Sequence, residues 1–206
     1  INTRREETIR VGSYASIAVH WLPELIQRFR DRHPDVAVDI QMGSVQEVYR
    51  WVREDKVDMC FASHQEGGNF DWIHLRNDPL LAILPPGYDL RGCSSLPVSR
   101  LEGLDFLMPS LGFHLDIMRA LGDVKPNIQQ THVNDSVIIS MVEHGLGVSI
   151  LSELVLRGRR DNVVAVPLDP PAVRELGIAV RSKKELRPIA RRFITETKEI
   201  LENIPL

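Results

Sequence analysis

Short polar stretches carry the side chains best suited to holding a small ligand. They are Ser13-Tyr14-Ala15-Ser16, Gly43-Ser44, Ser63-His64, Ser110 to His114, and His132 to Ser136. Several lie just ahead of a helical pattern. A helix start leaves backbone N–H groups without intrahelical partners and sits at the positive end of the helix dipole, so it is a ready site for a carboxylate or phosphate. A small anion is therefore a fair expectation. The candidate ligand-binding residues are Ser13, Tyr14, Ser16, Ser44, Ser63, Ser110, His114, Asn134 and Asp135. The same residue types are first of all ordinary N-caps, and capping alone accounts for any one of them. Asp135 argues against an anion close to it; it suits an amine on the ligand, or a cap.

Catalytic chemistry finds little support. There is no Gly-x-Ser-x-Gly, no His-Glu-x-x-His and no Gly-rich phosphate loop ending in Lys-Ser or Lys-Thr. Ser63 and His64 are neighbours, but a catalytic pair is defined in space, which adjacency does not establish. The 7 histidines show no ligand spacing, and the 2 cysteines, Cys60 and Cys93, give neither a zinc pattern nor a disulfide framework. Cys60 lies in an apolar run and reads as core. No metal and no cofactor is expected, and the chain reads as a binding protein rather than an enzyme. The net charge of −3 lacks the basic excess of a domain that grips nucleic acid. The tightest basic cluster, Arg157, Arg159 and Arg160, reads as a solvated loop. No apolar run approaches membrane-span length, so no membrane partner is expected. Ile1 to Glu7 is polar without a signal-peptide core, and the missing Met suggests a fragment or a mature form.

The elements that must position these residues follow from periodicity. Thr8 to Gly12 reads as a strand. Leu22, Leu25, Ile26 and Phe29 give helical spacing, with Pro23 either starting a new first turn or kinking the helix, and His33-Pro34 closing it. Val36, Val38, Ile40 and Met42 alternate as a half-buried strand, and Gly43 turns the chain. Ser44 and Glu47 form a capping box for a helix whose buried stripe is Val45, Val48, Tyr49 and Val52. Asp58 to Ala62 is a third strand, so the order β-α-β-α-β implies a mainly parallel sheet with helices on its faces. Phe70 to Leu75, Leu80 to Leu84, Leu104 to Met108, Gln129 to Val133, Val163 to Val166 and Leu176 to Val180 are further strands. Pro167 to Pro171 reads as a break. Phe113 to Leu121 and Pro188 to Leu201 are helices.

Asn134 to Leu151 is the most ordered stretch of pattern. Asn134, Asp135 and Ser136 offer caps; Ile138, Met141 and Val142 form one stripe; His144 falls in the last turn; Gly145 stops the helix; Gly147 allows a second turn; and Val148 to Leu151 is a buried strand. A dinucleotide fingerprint needs a strand before its glycines and a helix after them, the reverse of this order. The 206 residues, 43% hydrophobic and 26% charged, suit one large domain or two small lobes. The expected division is 1–84 for lobe I, 85–177 for lobe II and 178–206 for the return to lobe I. The fold class is α/β, two Rossmann-like lobes joined by two crossing strands, with ligands held in the groove beyond the carboxyl ends of the strands.

Val142-Glu143-His144-Gly145-Leu146-Gly147 resembles the helix-to-strand signature of the effector-binding domains of LysR-type transcriptional regulators. The resemblance extends over nearly the whole chain: Ile9 to Gly12, Leu22-Pro23 to His33-Pro34, Gly43-Ser44, Lys56-Val57-Asp58, and Leu186 to Ile194. It implies a type 2 periplasmic-binding-protein-like pair of lobes with a small-molecule effector in the cleft. Ser13, Ser16 and Ser44 then fall on the first-lobe ligand loops and Asn134 on the second-lobe side. It also implies a homodimer or tetramer, here expected to use the Leu22–Phe29 helix. DNA would be contacted only through a helix-turn-helix domain absent from this sequence, and the location would be cytoplasmic. The alternative is an exported solute-binding protein of the same fold class.

Overall fold

Ile9 and Val11 seat β1 (Glu7–Ser13) inside a sheet. After it come α1 (Ala15–His20), α2 (Leu22–Arg32), β2 (Val36–Met42), α3 (Val45–Arg53) and β3 (Met59–Ser63). The chain continues through β4 (Asp71–Leu84), β5 (Leu96–Pro97), β6 (Asp105–Met108), α4 (His114–Leu121), β7 (Asn127–Gln130) and α5 (Asp135–Glu143). It ends with β8 (Ser149–Ser152), α6 (Glu153–Leu156), β9 (Val164–Val180) and α7 (Pro188–Glu202). The structure is a computed structural model that describes residues 7–109, 114–159 and 162–203.

The hydrogen-bonded order is β2-β1-β3-β9-β4-β8, with β5 beside β9, and β6-β7 form a separate pair. β1 runs parallel to both β2 and β3, whereas β9 is antiparallel to β3 and β8 is antiparallel to β4. The parallel sheet expected from the first elements is thus part of a mixed one. Two compact units result: residues 1–76 with 175–206, and residues 77–174. The passage between them lies inside β4, between Arg76 and Asn77, and inside β9, between Arg174 and Glu175, rather than after Leu84 and Gly177.

In the first unit, Phe29 of α2 meets Phe193 of α7 edge-on at 5.0 Å between ring centres, and Phe61 of β3 lies 6.4 Å from the same ring. All three rings are fully buried. On the α3 side, Val48, Tyr49, Trp51 and Val52 pack with Cys60, Ala62 and Ala179. Trp51 was absent from the expected stripe, and its ring explains Gly43: a Cβ there would lie 2.6 Å from Trp51 Cη2. Gly43 therefore serves close packing. Asp58 fastens the opposite end of β1. It accepts from Arg10 N at 2.7 Å, Arg10 Nη2 at 3.0 Å and Arg187 Nη2 at 2.9 Å. Burial pushes its carboxyl up, but the hydrogen bonds from Arg10 and the charge of Arg187 outweigh it, leaving it below the usual aspartate value.

Other sequence expectations change for identifiable reasons. Trp21 ends α1 and begins α2, so Pro23 starts a new first turn instead of kinking one helix. The strands expected at Phe70 to Leu75 and Leu80 to Leu84 are one strand, β4, which begins at Asp71. β9 runs without a break through Pro167 to Pro171, with a cis Asp169–Pro170 peptide. Proline removes a donor but keeps its carbonyl, and β5 pairs here through Leu96↔Leu168 and Pro97↔Asp169. β2 is a sheet edge, and of its expected stripe only Val36 is buried, with Met42 61% exposed.

In the second unit, Leu80 to Leu84, Phe106 to Met108, Ile138, Val142, Ile150 and Leu151 form one core with Leu168. At its margin Asp78 of β4 and Arg174 of β9 form an ion pair with both side chains fully withdrawn from water. Arg174 Nε and Nη2 reach Asp78 Oδ2 at 2.8 and 2.7 Å, and Leu154 N donates to Oδ1 at 3.0 Å. Removing one partner leaves a buried charge uncompensated. Arg174→Ala is expected to cost about 3–5 kcal/mol, read as a lowered midpoint in urea unfolding; a loss below 1 kcal/mol would show that the site admits water.

Candidate functional site

The parallel register of β1, β2 and β3 sets their carboxyl ends side by side: Ser13 is opposite Met42 on one flank and Phe61 on the other. Gly43 N donates to Ser13 O at 3.2 Å and Tyr14 N to Phe61 O at 3.2 Å, so the loops after the strands begin already tied together. Ser13 is fully buried, and its Oγ donates to Tyr14 O at 3.0 Å. Tyr14 is the N-cap residue of α1 and is buried, its hydroxyl 3.3 Å from Ser63 Oγ. Ser63 ends β3, and its carbonyl accepts from Tyr49 OH at 2.8 Å. Ser16 is buried in the first turn of α1. Ser13, Tyr14 and Ser63 thus form one packed group, with Tyr49 as a member that sequence reasoning assigned only to the core stripe.

Ser44 is the N-cap of α3, with both halves of the capping box present. Glu47 N donates to Ser44 Oγ at 3.4 Å, and Glu47 Oε2 accepts from Ser44 N and Oγ, each at 2.8 Å. Those bonds hold the Glu47 carboxyl below its ordinary value. Ser44 as a residue is only partly buried while it caps the helix.

In the second unit, Asn134 is the N-cap of α5, its Oδ1 accepting from Val137 N at 3.2 Å. Asp135 is the first helical residue and not the cap. Burial pushes its carboxyl above the ordinary aspartate value, and the charges of Arg174 and Arg159 work against that rise. Arg159 Nη1 donates to Ser136 Oγ. Arg159 is therefore held at the start of α5 and is more than the solvated loop residue expected, while Arg160 lies outside the described residues. Ser110 also lies outside them, and His114 is the exposed first residue of α4. Arg159 and Arg174 were missed because one arginine in a basic loop and another beside Glu175 carry no local signal of a shared neighbour.

At the end of α5, His144 is the C-cap residue and Gly145 adopts φ +72°, as the pattern required. Gly147 serves differently from the expected turn: a Cβ there would lie 2.8 Å from Asp105 O, so its role is close backbone approach. Cys60 is fully buried, its thiol pushed up to about 12 by desolvation, which leaves almost no reactive thiolate. Among the described residues no cluster of His, Cys, Asp or Glu is placed to hold a metal ion.

The LysR substrate binding domain family matches residues 2–202. The chain belongs to this family. An uncharacterized HTH-type transcriptional regulator of Bacillus subtilis (strain 168), YvbU, is 28% identical over 94% of this chain. The chain spans 67% of that relative's length. Among solved structures, the CcmR regulatory domain of Synechocystis PCC6803 in complex with 2-PG is similar, with a TM-score of 0.86 and 19% identity, covering 98% of this chain and all of the other. The effector binding domain of QuiR in complex with shikimate has a TM-score of 0.85 and 18% identity, covering 97% of this chain and 99% of that one. The fold is thus the type 2 periplasmic-binding-protein-like fold of LysR effector-binding domains, and the chain is a ligand-sensing regulatory domain rather than a transport protein.

Within this LysR domain, Ser44→Ala is expected to cost about 1 kcal/mol by removing the α3 cap, measured as a shift in the urea midpoint. An unchanged midpoint would show that water replaces the hydroxyl without loss.

Proposed function

We propose that this domain senses a small anionic effector and passes the signal to the rest of a LysR-type regulator. The observation that carries this reading is the gathering of Ser13, Tyr14, Ser44 and Ser63 around the carboxyl ends of adjoining parallel strands in a member of this family. Each unit offers its own ligand-facing set. In the first it is Ser13, Tyr14, Ser16, Ser44 and Ser63, with the free N–H groups at the start of α3. In the second it is Asn134 and Asp135 at the start of α5, with Ser110 and His114. Arg159 and Arg174 supply the positive field that offsets Asp135, so an anion near α5 is compatible with that carboxyl. The neighbours in complex with shikimate and with 2-PG support a small ligand.

The domain binds and does not catalyse. DNA contact belongs to a helix-turn-helix segment of such a regulator, and the working location is the cytoplasm. Among the described residues no helix is long and apolar enough to cross a membrane. Signalling works by linkage: the effector shifts an equilibrium between arrangements only as far as it prefers one of them, and a swing from 1:99 to 99:1 needs about 5.5 kcal/mol.

A thermal-shift screen with carboxylates, phosphorylated metabolites, amino acids and aromatic acids tests the reading. An anion at one hundred times its dissociation constant adds about 2.7 kcal/mol, Ser44→Ala weakens it, and the compound is recovered unchanged. Stabilisation by neutral or cationic compounds alone overturns the anionic class, and turnover of the hit overturns the non-enzymatic reading.

The domain also self-associates as a homodimer, the unit of a tetramer. The α2 helix can offer such an interface only its outer face, because Leu22, Leu25 and Phe29 are buried within their own unit. Among the described residues of that unit the exposed large apolar side chains are Val19 (63%), Met42 (61%) and Ile40 (38%), the last two on the β2 sheet edge. Sedimentation velocity should give a dimer for the native domain and a monomer for Met42→Lys; a native monomer at micromolar concentration rejects the interface.

A further inference from the structure

Ser13 and Ser44, on the loops that end β1 and β2, are each preceded by a glycine, Gly12 and Gly43. Neither glycine has a positive φ, so backbone conformation does not call for it. The reason is space. A Cβ on Gly43 would lie 2.6 Å from Cη2 and 3.0 Å from Cζ3 of Trp51. A Cβ on Gly12 would lie 3.4 Å from Cε3 of the same ring, and 3.3 Å from Cys60 Cβ. Cε3, Cζ3 and Cη2 are consecutive carbons along one edge of the indole. A single side chain of α3 thus lies against both glycines.

The ring is itself well held. Trp51 is buried in one apolar cluster with Val48, Val52 and Cys60, and a tryptophan turns about only two χ angles. It projects from α3, whose first turn is fixed by the Ser44 and Glu47 capping box. Gly43 N donates to Ser13 O at 3.2 Å, which ties the two loops to each other. That bond alone sets no distance from α3; the ring does. A glycine without support is the most permissive point of a loop. Here each glycine rests on a rigid, buried plane, so the freedom it brings is taken away by packing.

We infer that Trp51 is a positioning residue for the ligand loops: its indole edge, packed against Gly12 and Gly43, sets where Ser13 and Ser44 stand relative to each other. The inference rests on the reading of those serines as ligand-facing, and Trp51 acts through them without touching the ligand. Loops already held in place lose less freedom when a ligand binds, so the affinity depends on the ring.

The test combines amide hydrogen exchange with a titration of inorganic phosphate, both followed by NMR on the ¹⁵N-labelled domain. The Gly43 N–H, bonded to Ser13 O, reports the loop contact, and the Leu25 N–H, bonded to Trp21 O, reports opening of the unit as a whole. Trp51→Phe, which shortens the ring, should speed Gly43 exchange about tenfold while changing Leu25 less than about twofold. A role in stability alone would speed both alike. Phosphate, followed at the Ser44 amide, should bind Trp51→Phe about fivefold more weakly than the native domain. Gly43→Ala presses a methyl on the ring from the other side. It should move the Gly12 amide and Trp51 indole signals together, and keeps the proposal testable should the tryptophan variant fail to fold. Unmoved Gly12 and Trp51 signals there, unchanged Gly43 exchange in Trp51→Phe, or equal phosphate affinity overturns the positioning role. A native domain that binds no phosphate counts instead against the anionic reading of these loops, and Gly43 exchange still decides whether the ring holds them.

Discussion

The Asp78–Arg174 ion pair is the constraint on which the second unit depends. Two charges removed from water are costly, and their attraction offsets that cost only with good geometry and occupied lone pairs. Here Oδ2 receives two donors of the guanidinium and Oδ1 receives Leu154 N. The pair therefore joins β4, β9 and the start of α6, just inside the positions where the chain enters and leaves the unit. A well-packed apolar pair could match its net stability. What an apolar pair would not supply is direction, because the planar guanidinium fixes how the two strands face each other.

That placement has an electrostatic consequence. Arg174 is one of two positive charges acting on Asp135, the other being Arg159 at the same helix start. The beginning of α5 thus combines free N–H groups, a capping carboxamide and a carboxyl whose charge is already opposed. In the first unit the equivalent work is done by hydroxyls. Parallel pairing brings the ends of β1, β2 and β3 together, and the Tyr14, Ser63 and Tyr49 contacts hold those ends as one group. The loops after these strands are positioned by backbone register, with Gly43 N bonded to Ser13 O and Tyr14 N to Phe61 O.

A similar logic separates the reactive from the inert groups. Cys60 sits in the middle of a core and has lost its thiolate chemistry to desolvation. Ser44 keeps part of its surface because an N-cap residue stands at a helix entrance, where the backbone itself faces outward. Burial and chemistry are therefore arranged together along each element, with polar atoms concentrated at strand ends.

Much of this was legible in the sequence because its signals are local. The Ser44 and Glu47 capping box, the Asn134 cap, the Gly145 stop and the alternating strands each depend on residues within a few positions of one another, and the order of those motifs was enough to indicate the family. Other features depend on partners far along the chain. Gly43 is needed for Trp51, Gly147 for the Asp105 carbonyl and Gly177 for Trp72, all matters of close approach that a turn residue's identity does not reveal. Pro167 to Pro171 read as a break, yet β5 recruits that stretch into a strand. The amphipathic stripe of α2 finds its cover in α7, where Phe29 meets Phe193 from the far end of the chain. Asp78 and Arg174 stand 96 residues apart, and each alone looks like a surface charge. Sequence determined many of the elements, the Ser44 and Asn134 caps and the family, because propensity and periodicity act over short spans. Tertiary structure decided which charges lose their water and which rings need a missing Cβ, because desolvation and excluded volume are set by whatever the fold brings near.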